Sequence, residues 1–231
     1  MACRTDMKLL DRFQFILPDL CFLTDDPYRV KMIAAHYLDH VEIFTETRGQ
    51  VGLTGTFNNV PIIVLSAGIG KTSTMAYLTE LCLKNQIKRV VYFGDCITND
   101  PGLPIGSIVL INKAYENGKC YDASGKMLQN TEAILRETNI QVQNCVTTTD
   151  DHYLIDKKYR ISQDSKVLDF TTAPIYKLNE TANGLEALSI LTVCENMSTN
   201  ETIEEAARQR GGQIAIQLAL RILSFHANIL Q

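Results

Sequence analysis

Apolar positions along the chain alternate between short unbroken runs and stretches with helical spacing. Leu20-Cys21-Phe22-Leu23 is a continuous apolar run closed by Thr24, which predicts a buried strand. Asp26 then reads as a helix cap with Pro27 in the first turn, where a missing N–H costs nothing, so a helix is predicted to about Tyr37. Leu53 to Phe57 and Pro61 to Leu65 flank Asn58-Asn59, a pair that tolerates positive φ, and together they predict a tight hairpin. After the Gly68-Ile69-Gly70 turn a helix is expected from about Thr72 to Asn85, with Met75, Leu78, Cys82 and Leu83 facing inward. Further strands are expected at Arg89 to Phe93, Ser107 to Ile111, Gln141 to Val146, Lys166 to Phe170 and Ala187 to Val193. Helices are expected at Glu132 to Thr138, Ile175 to Asn183 and Ile203 to Ser224, and Met197 to Glu205 reads as a surface loop. Strands interleaved with helices specify an α/β layered fold with a mixed central β-sheet flanked by helices.

At 231 residues and 45% apolar, the chain has the size of one domain, 1–231, with enough buried surface to need no staples. The formal charge of −4 is spread along it, with neither a basic stripe for nucleic acid nor a polybasic tail for a membrane. Small neutral or anionic ligands are the expected partners. The 7 cysteines are scattered, with no CxxC pair and no histidine at metal-ligand spacing. That pattern fits free thiols in a reducing, cytoplasmic compartment and predicts no metal.

Three segments carry candidate chemistry. They read Thr24-Asp25-Asp26-Pro27-Tyr28-Arg29, then Arg48-Gly49-Gln50-Val51-Gly52-Leu53-Thr54-Gly55-Thr56, then Ser66-Ala67-Gly68-Ile69-Gly70-Lys71-Thr72, with Phe93-Gly94-Asp95-Cys96 beyond. The third is not a P-loop, because Leu65 stands where the first glycine of that motif is required. It is either a plain strand-to-helix turn or a helix N-terminus whose backbone N–H groups face a ligand. Arg29 and Arg48 sit beside turn residues and have the planar fork that grips phosphate oxygens in pairs. Taken singly, either arginine is more often a solvated surface residue, and it is their company that points to an anion.

In order and spacing these segments resemble the nucleoside phosphorylase family, which includes hexameric purine nucleoside phosphorylases and uridine phosphorylases. Arg-Gly-x-x-Gly-x-Thr-Gly-Thr is intact from Arg48 to Thr56, and Asp25-Asp26-Pro27-Tyr28-Arg29 matches the family's Gly-Asp-Pro-x-Arg at all but its first position. The resemblance implies a three-layer nucleoside-phosphorylase-like fold and phosphorolysis, with inorganic phosphate as co-substrate, no other cofactor, and free base and pentose 1-phosphate as products. It places Arg29, Arg48, Asp25, Gly94 and Asp95 at phosphate, with Arg48 serving a neighbouring subunit of a homodimer or a hexamer built as a trimer of dimers. Phe170, Thr171 and Ile69 fall at the ribose, and His152, Tyr153 and Cys194 at the base. Glu195, in Thr192-Val193-Cys194-Glu195-Asn196, takes the place of the aspartate that protonates a departing purine, and so favours purines over uridine.

The departures from the pattern cluster around phosphate and ribose. Tyr92 replaces an arginine, Asp95 a serine, Asp25 a glycine, and Thr171 a ribose-binding glutamate. These keep two alternatives beside phosphorolysis: a nucleoside-binding or structural protein that has lost the reaction, and a nucleosidase that uses water with Asp25 or Asp95 orienting it.

Overall fold

The computed structural model of the chain describes residue 10 and residues 17–84, 87–152, 161, 164–181 and 184–225. Among these, eleven strands form one sheet, β1 (Leu20–Thr24), β2 (Asp39–Thr45), β3 (Gly52–Phe57), β4 (Val60–Ser66), β5 (Arg89–Thr98), β6 (Ile108–Glu116), β7 (Lys119–Asp122), β8 (Gln143–Thr149), β9 (Val167–Asp169), β10 (Glu186–Asn196) and β11 (Glu201–Thr202). Five helices cover it: α1 (Pro27–Tyr37), α2 (Lys71–Lys84), α3 (Gly125–Arg136), α4 (Thr172–Thr181) and α5 (Glu205–Ser224). This is the mixed α/β layering expected from the sequence.

β10 pairs parallel with β5 and antiparallel with β6, while β6–β8, β8–β9 and β9–β5 complete a closed ring. From β5 the sheet continues outward through β1, β4, β3 and β2. The parallel strands β1, β4, β5 and β10 all deliver their carboxyl ends to the same rim.

Local chemistry explains the elements. Asp26 caps α1 by accepting from the Tyr28 N–H at 2.8 Å, and Pro27 opens the helix. Asn58 and Asn59 adopt φ of 49° and 64°, the left-handed pair a two-residue hairpin needs. Buried Tyr176 on α4 donates to the Ile111 carbonyl at 2.6 Å and accepts from the Ser189 N–H at 2.9 Å, joining helix to ring. Arg89 at the start of β5 donates to the Leu223 and Phe225 carbonyls at 2.7 and 2.9 Å, placing a cation on the carboxyl end of α5.

Several boundaries differ from the sequence expectation. α3 begins at Gly125 rather than Glu132, because its buried stripe of Met127, Asn130, Thr131 and Ile134 is half polar and hides the period. The inner face of α2 is Thr74, Tyr77, Leu78 and Leu81; Leu83, expected inward, is 83% exposed. β2 was not anticipated, since it is an edge strand whose first five residues are exposed and whose His40 has φ 53°. The expected surface loop after Met197 contains the short strand β11.

Candidate active site

A cleft of about 470 Å³ opens at the rim where these strands end, within the range of small-molecule sites. Asp25 and Asp26 come from the end of β1 and the start of α1. Asp95, Cys96 and Ile97 come from β5, Cys194 from β10, Phe170 from just past β9, Ile69 from the glycine turn after β4, and Arg208 from the first turn of α5. Gly68 and Gly70 hold φ of 73° and 92°, which fixes the turn that carries Ile69 to the mouth.

Arg29 is the electrostatic centre. Its Nη1 donates to Asp25 Oδ1 at 2.9 Å and its Nη2 to both oxygens of Asp95 at 2.7 Å, while its guanidinium lies 4.8 Å from the centre of the Phe93 ring. Arg208 approaches the same Asp95 with Nη1 at 2.8 Å, binds Glu205 through Nε and Nη2 at 2.9 Å, and stands 3.6 Å from Asp26. Two arginines are thus gripped by protein carboxylates in the forked geometry that suits an external oxyanion. A phosphate at Arg29 would sit beside Asp25 and Asp95, both repulsive to it. Burial is the largest influence on the Asp25 carboxyl and raises it from 3.8 to about 6, offset in part by Arg29 and reinforced by Asp95 and Asp26.

The wall on the other side is set by Asp169, buried at the end of β9. Its Oδ1 accepts from Thr149 and Thr147 at 2.7 and 3.1 Å, and its Oδ2 from the Thr171 and Thr172 N–H groups at 2.9 and 2.7 Å. This locks the start of α4 and so positions Phe170. Tyr92 is buried beneath, hydrogen-bonded to Thr171, and its phenol is pushed far above its ordinary range by burial first and by Asp25 and Asp169 second. A Cβ at Gly94 would meet the Tyr92 ring and hydroxyl, so any side chain there would have to displace buried Tyr92.

Of the residues singled out in the sequence, Asp25, Asp95, Ile69, Phe170 and Cys194 line this one cleft, and Arg29 lies directly behind it. Glu195 follows Cys194 on β10, half-buried, opposite Thr202 of β11. Thr171 is buried behind Phe170 and faces Tyr92 rather than the cavity. Arg48 stands on an exposed turn with φ 58°, outside the cleft of its own chain. His152 is exposed, with Nδ1 2.7 Å from Asp150 Oδ1, and Tyr153 lies outside the described residues. Lys71, beside the glycine turn, pairs with Glu116 and Asp151 at 3.2 and 3.0 Å rather than facing an anion. Arg208 was missed by sequence reasoning, since one arginine on an amphipathic helix carries no mark separating it from a solvated one. Among the described residues no cluster suited to a metal ion occurs, and no helix is long and apolar enough to cross a membrane.

Comparison with known proteins agrees with this architecture. The pattern of the phosphorylase superfamily matches residues 19–224. Purine nucleoside phosphorylase DeoD-type from Caldanaerobacter subterraneus subsp. tengcongensis is 29% identical over 221 residues, covering 89% of this chain and 95% of that one. The protein of the same name from Thermoanaerobacter pseudethanolicus is 30% identical over 215 residues, covering 87% and 92%. The crystal structure of purine nucleoside phosphorylase from Toxoplasma gondii in complex with immucillin-H superposes with a TM-score of 0.77 over 90% of each chain, at 17% identity.

Proposed function

The chain belongs to the nucleoside phosphorylase family of the phosphorylase superfamily, and from that premise we propose that its cleft binds a nucleoside and breaks the N-glycosidic bond, purines being favoured over uridine. The observation that carries this reading is convergence: Asp25, Asp95, Ile69, Phe170 and Cys194, distant in sequence, line one cavity at the carboxyl ends of parallel strands. Phe170 and Ile69 offer apolar surface to the sugar, and Cys194 lies on the side of the base. Glu195 serves as general acid to the departing purine. The relatives named above are purine nucleoside phosphorylases, which supports phosphate as acceptor, with Arg29 and Gly94 beneath the sugar and pentose 1-phosphate as product. Arg48, exposed on its turn, is then a contribution to an adjacent subunit of a homodimer or hexamer. Six free cysteines among the described residues fit a cytoplasmic setting.

The test is release of free base from a panel of purine and pyrimidine nucleosides, followed chromatographically with and without phosphate. Purine release faster than uracil release supports the proposal, and no release from any nucleoside refutes it. A second reading is favoured by one specific observation: Arg29, saturated by Asp25 and Asp95, suits a protein that binds nucleosides without phosphorolysis. Nucleoside binding by calorimetry with no turnover would select it.

A further inference from the structure

The arginine that should hold phosphate is already holding an anion, and that anion is part of the chain. Asp95 spans Arg29 and Arg208 with contacts of 2.7 to 2.8 Å, occupying donors that an external phosphate would need. Asp25 differs from it. Its Oδ1 meets Arg29 at 2.9 Å and Thr24 at 3.5 Å, while Oδ2 has no side-chain partner among the described residues, and the residue lines the cleft. Three aspartates, Asp25, Asp26 and Asp95, line the cavity with Arg208, and Glu205 adds a further negative charge to that arginine. A dianion entering this cavity meets repulsion, whereas a neutral acceptor does not.

We infer that the acceptor at this site is water, with Asp95 standing in for phosphate on Arg29 and Arg208 and with Asp25 taking the proton from the attacking water. This rests on the nucleoside-cleaving reading and puts water in place of the phosphate acceptor that the relatives suggest. In the step, a water oxygen forms a bond to C1′ as the C1′–N bond breaks, and that bond's electron pair leaves with the base. The water proton passes to Asp25, and the base nitrogen gains a proton from Glu195 or solvent. Nucleoside and water thus yield free base and free pentose. No oxidant, metal or phosphate enters the balance.

The surroundings divide the two carboxylates by role. Asp95 is fixed by two guanidinium groups that engage both of its oxygens. Asp25 faces Asp26 and Arg29 from α1 and Tyr92 and Asp95 from β5, with Arg208 of α5 beyond, and its burial makes the ionised form more basic than an ordinary aspartate. A base near the working pH is the efficient kind. The replacements at positions 25 and 95 are therefore complementary, since one closes the anion site and the other supplies what hydrolysis needs.

The experiment uses the intact chain with inosine, adenosine and uridine in phosphate-free buffer containing ¹⁸O-water, and again with added phosphate. Expected is base release at the same rate in both, with label in the free pentose by mass spectrometry. Release only with phosphate, giving pentose 1-phosphate by ³¹P NMR, overturns the inference while leaving the nucleoside-cleaving reading intact. No release in either buffer overturns both. Asp25→Asn is expected to lower kcat about 10²–10⁴-fold with KM little changed, and Asp25→Glu to recover part of it together with the ascending limb of the pH profile. Hydrolysis undiminished in Asp25→Asn removes Asp25 from the role. Asp25→Gly combined with Asp95→Ser, which vacates Arg29, is expected to bring in a phosphate requirement, and its absence counts against Asp95 as the stand-in anion.

Discussion

Replacing Asp25 with asparagine should stabilise the protein at neutral and alkaline pH, although it deletes a residue paired with an arginine. The Asp25 carboxyl is raised from 3.8 to about 6, so the folded state holds its proton more tightly than the unfolded chain does. Stability from this group is therefore fully present below the unfolded value and is lost as pH rises through about 6. At about 1.4 kcal/mol for each tenfold difference in proton affinity, the ionised carboxylate costs about 3 kcal/mol above that point, the attraction of Arg29 already included. The amide would keep the shape, carry no charge to desolvate, and leave Arg29 Nη2 its contact with both oxygens of Asp95. Urea unfolding of both proteins from about pH 4 to about pH 8 reads the effect, since a shift in midpoint at constant slope is a change in stability. The curves should coincide at the acid end, separate between about pH 4 and 6, and run parallel beyond, with the variant the more stable by up to about 3 kcal/mol. A variant less stable than the wild type above pH 6, or a gap that ignores pH, would show that the Arg29 pair outweighs desolvation and refute the reasoning.

Other outcomes follow from the same geometry. Glu195→Gln should slow purine nucleoside cleavage by about 10²–10⁴-fold and leave nucleoside binding nearly intact, and an equal loss on uridine would assign Glu195 a structural part. Tyr176→Phe should cost roughly 1–3 kcal/mol in thermal or urea unfolding, because the Ile111 carbonyl and Ser189 N–H lose a shared buried partner. Light scattering at micromolar concentration should give at least twice the chain mass of 25.9 kDa, and a monomer would remove Arg48 from any neighbouring site. Arg208→Ala should cost roughly 1.5–3 kcal/mol in urea unfolding, because Asp95 and Glu205 lose a shared charged partner, and an unchanged midpoint would reduce that contact to a solvated surface pair.

Where a buried run or a cap states its physics in a few adjacent residues, the sequence was readable. The apolar run of β1, the Asp26-Pro27 start of α1 and the Asn58-Asn59 hairpin all lie within a residue of where pattern reasoning puts them. The pattern was silent where burial is decided by distant partners. The first turns of α3 bury Asn130 and Thr131, and β2, at the edge of the sheet, leaves the apolar Val41 and Ile43 exposed. The site divides likewise. The motif segments located Asp25, Arg29, Ile69 and Asp95, and no local pattern could show that Asp95 is shared with Arg208, a residue 113 positions away. Equally, an aspartate in place of a glycine reads in sequence as a charge set against phosphate. Only the fold shows that charge turned onto Arg29.

Helix α5 and strand β5 are joined at both ends, by Arg89 to the Leu223 and Phe225 carbonyls at one and by Asp95 to Arg208 at the other. The 15 steps from Arg208 to Leu223 rise about 23 Å at helical pitch, and the six from Arg89 to Asp95 span about 20 Å at strand pitch. Two elements of different rise are thereby commensurate, and the long arginine side chains absorb the remainder. Helix and strand form a truss whose diagonal members are charged, so the helix cannot slide along the strand without breaking both fastenings together. Cutting the Arg208 end alone converts sliding stiffness into a hinge at Arg89, and amide exchange should then quicken first in the opening turns of α5 and last near Leu223.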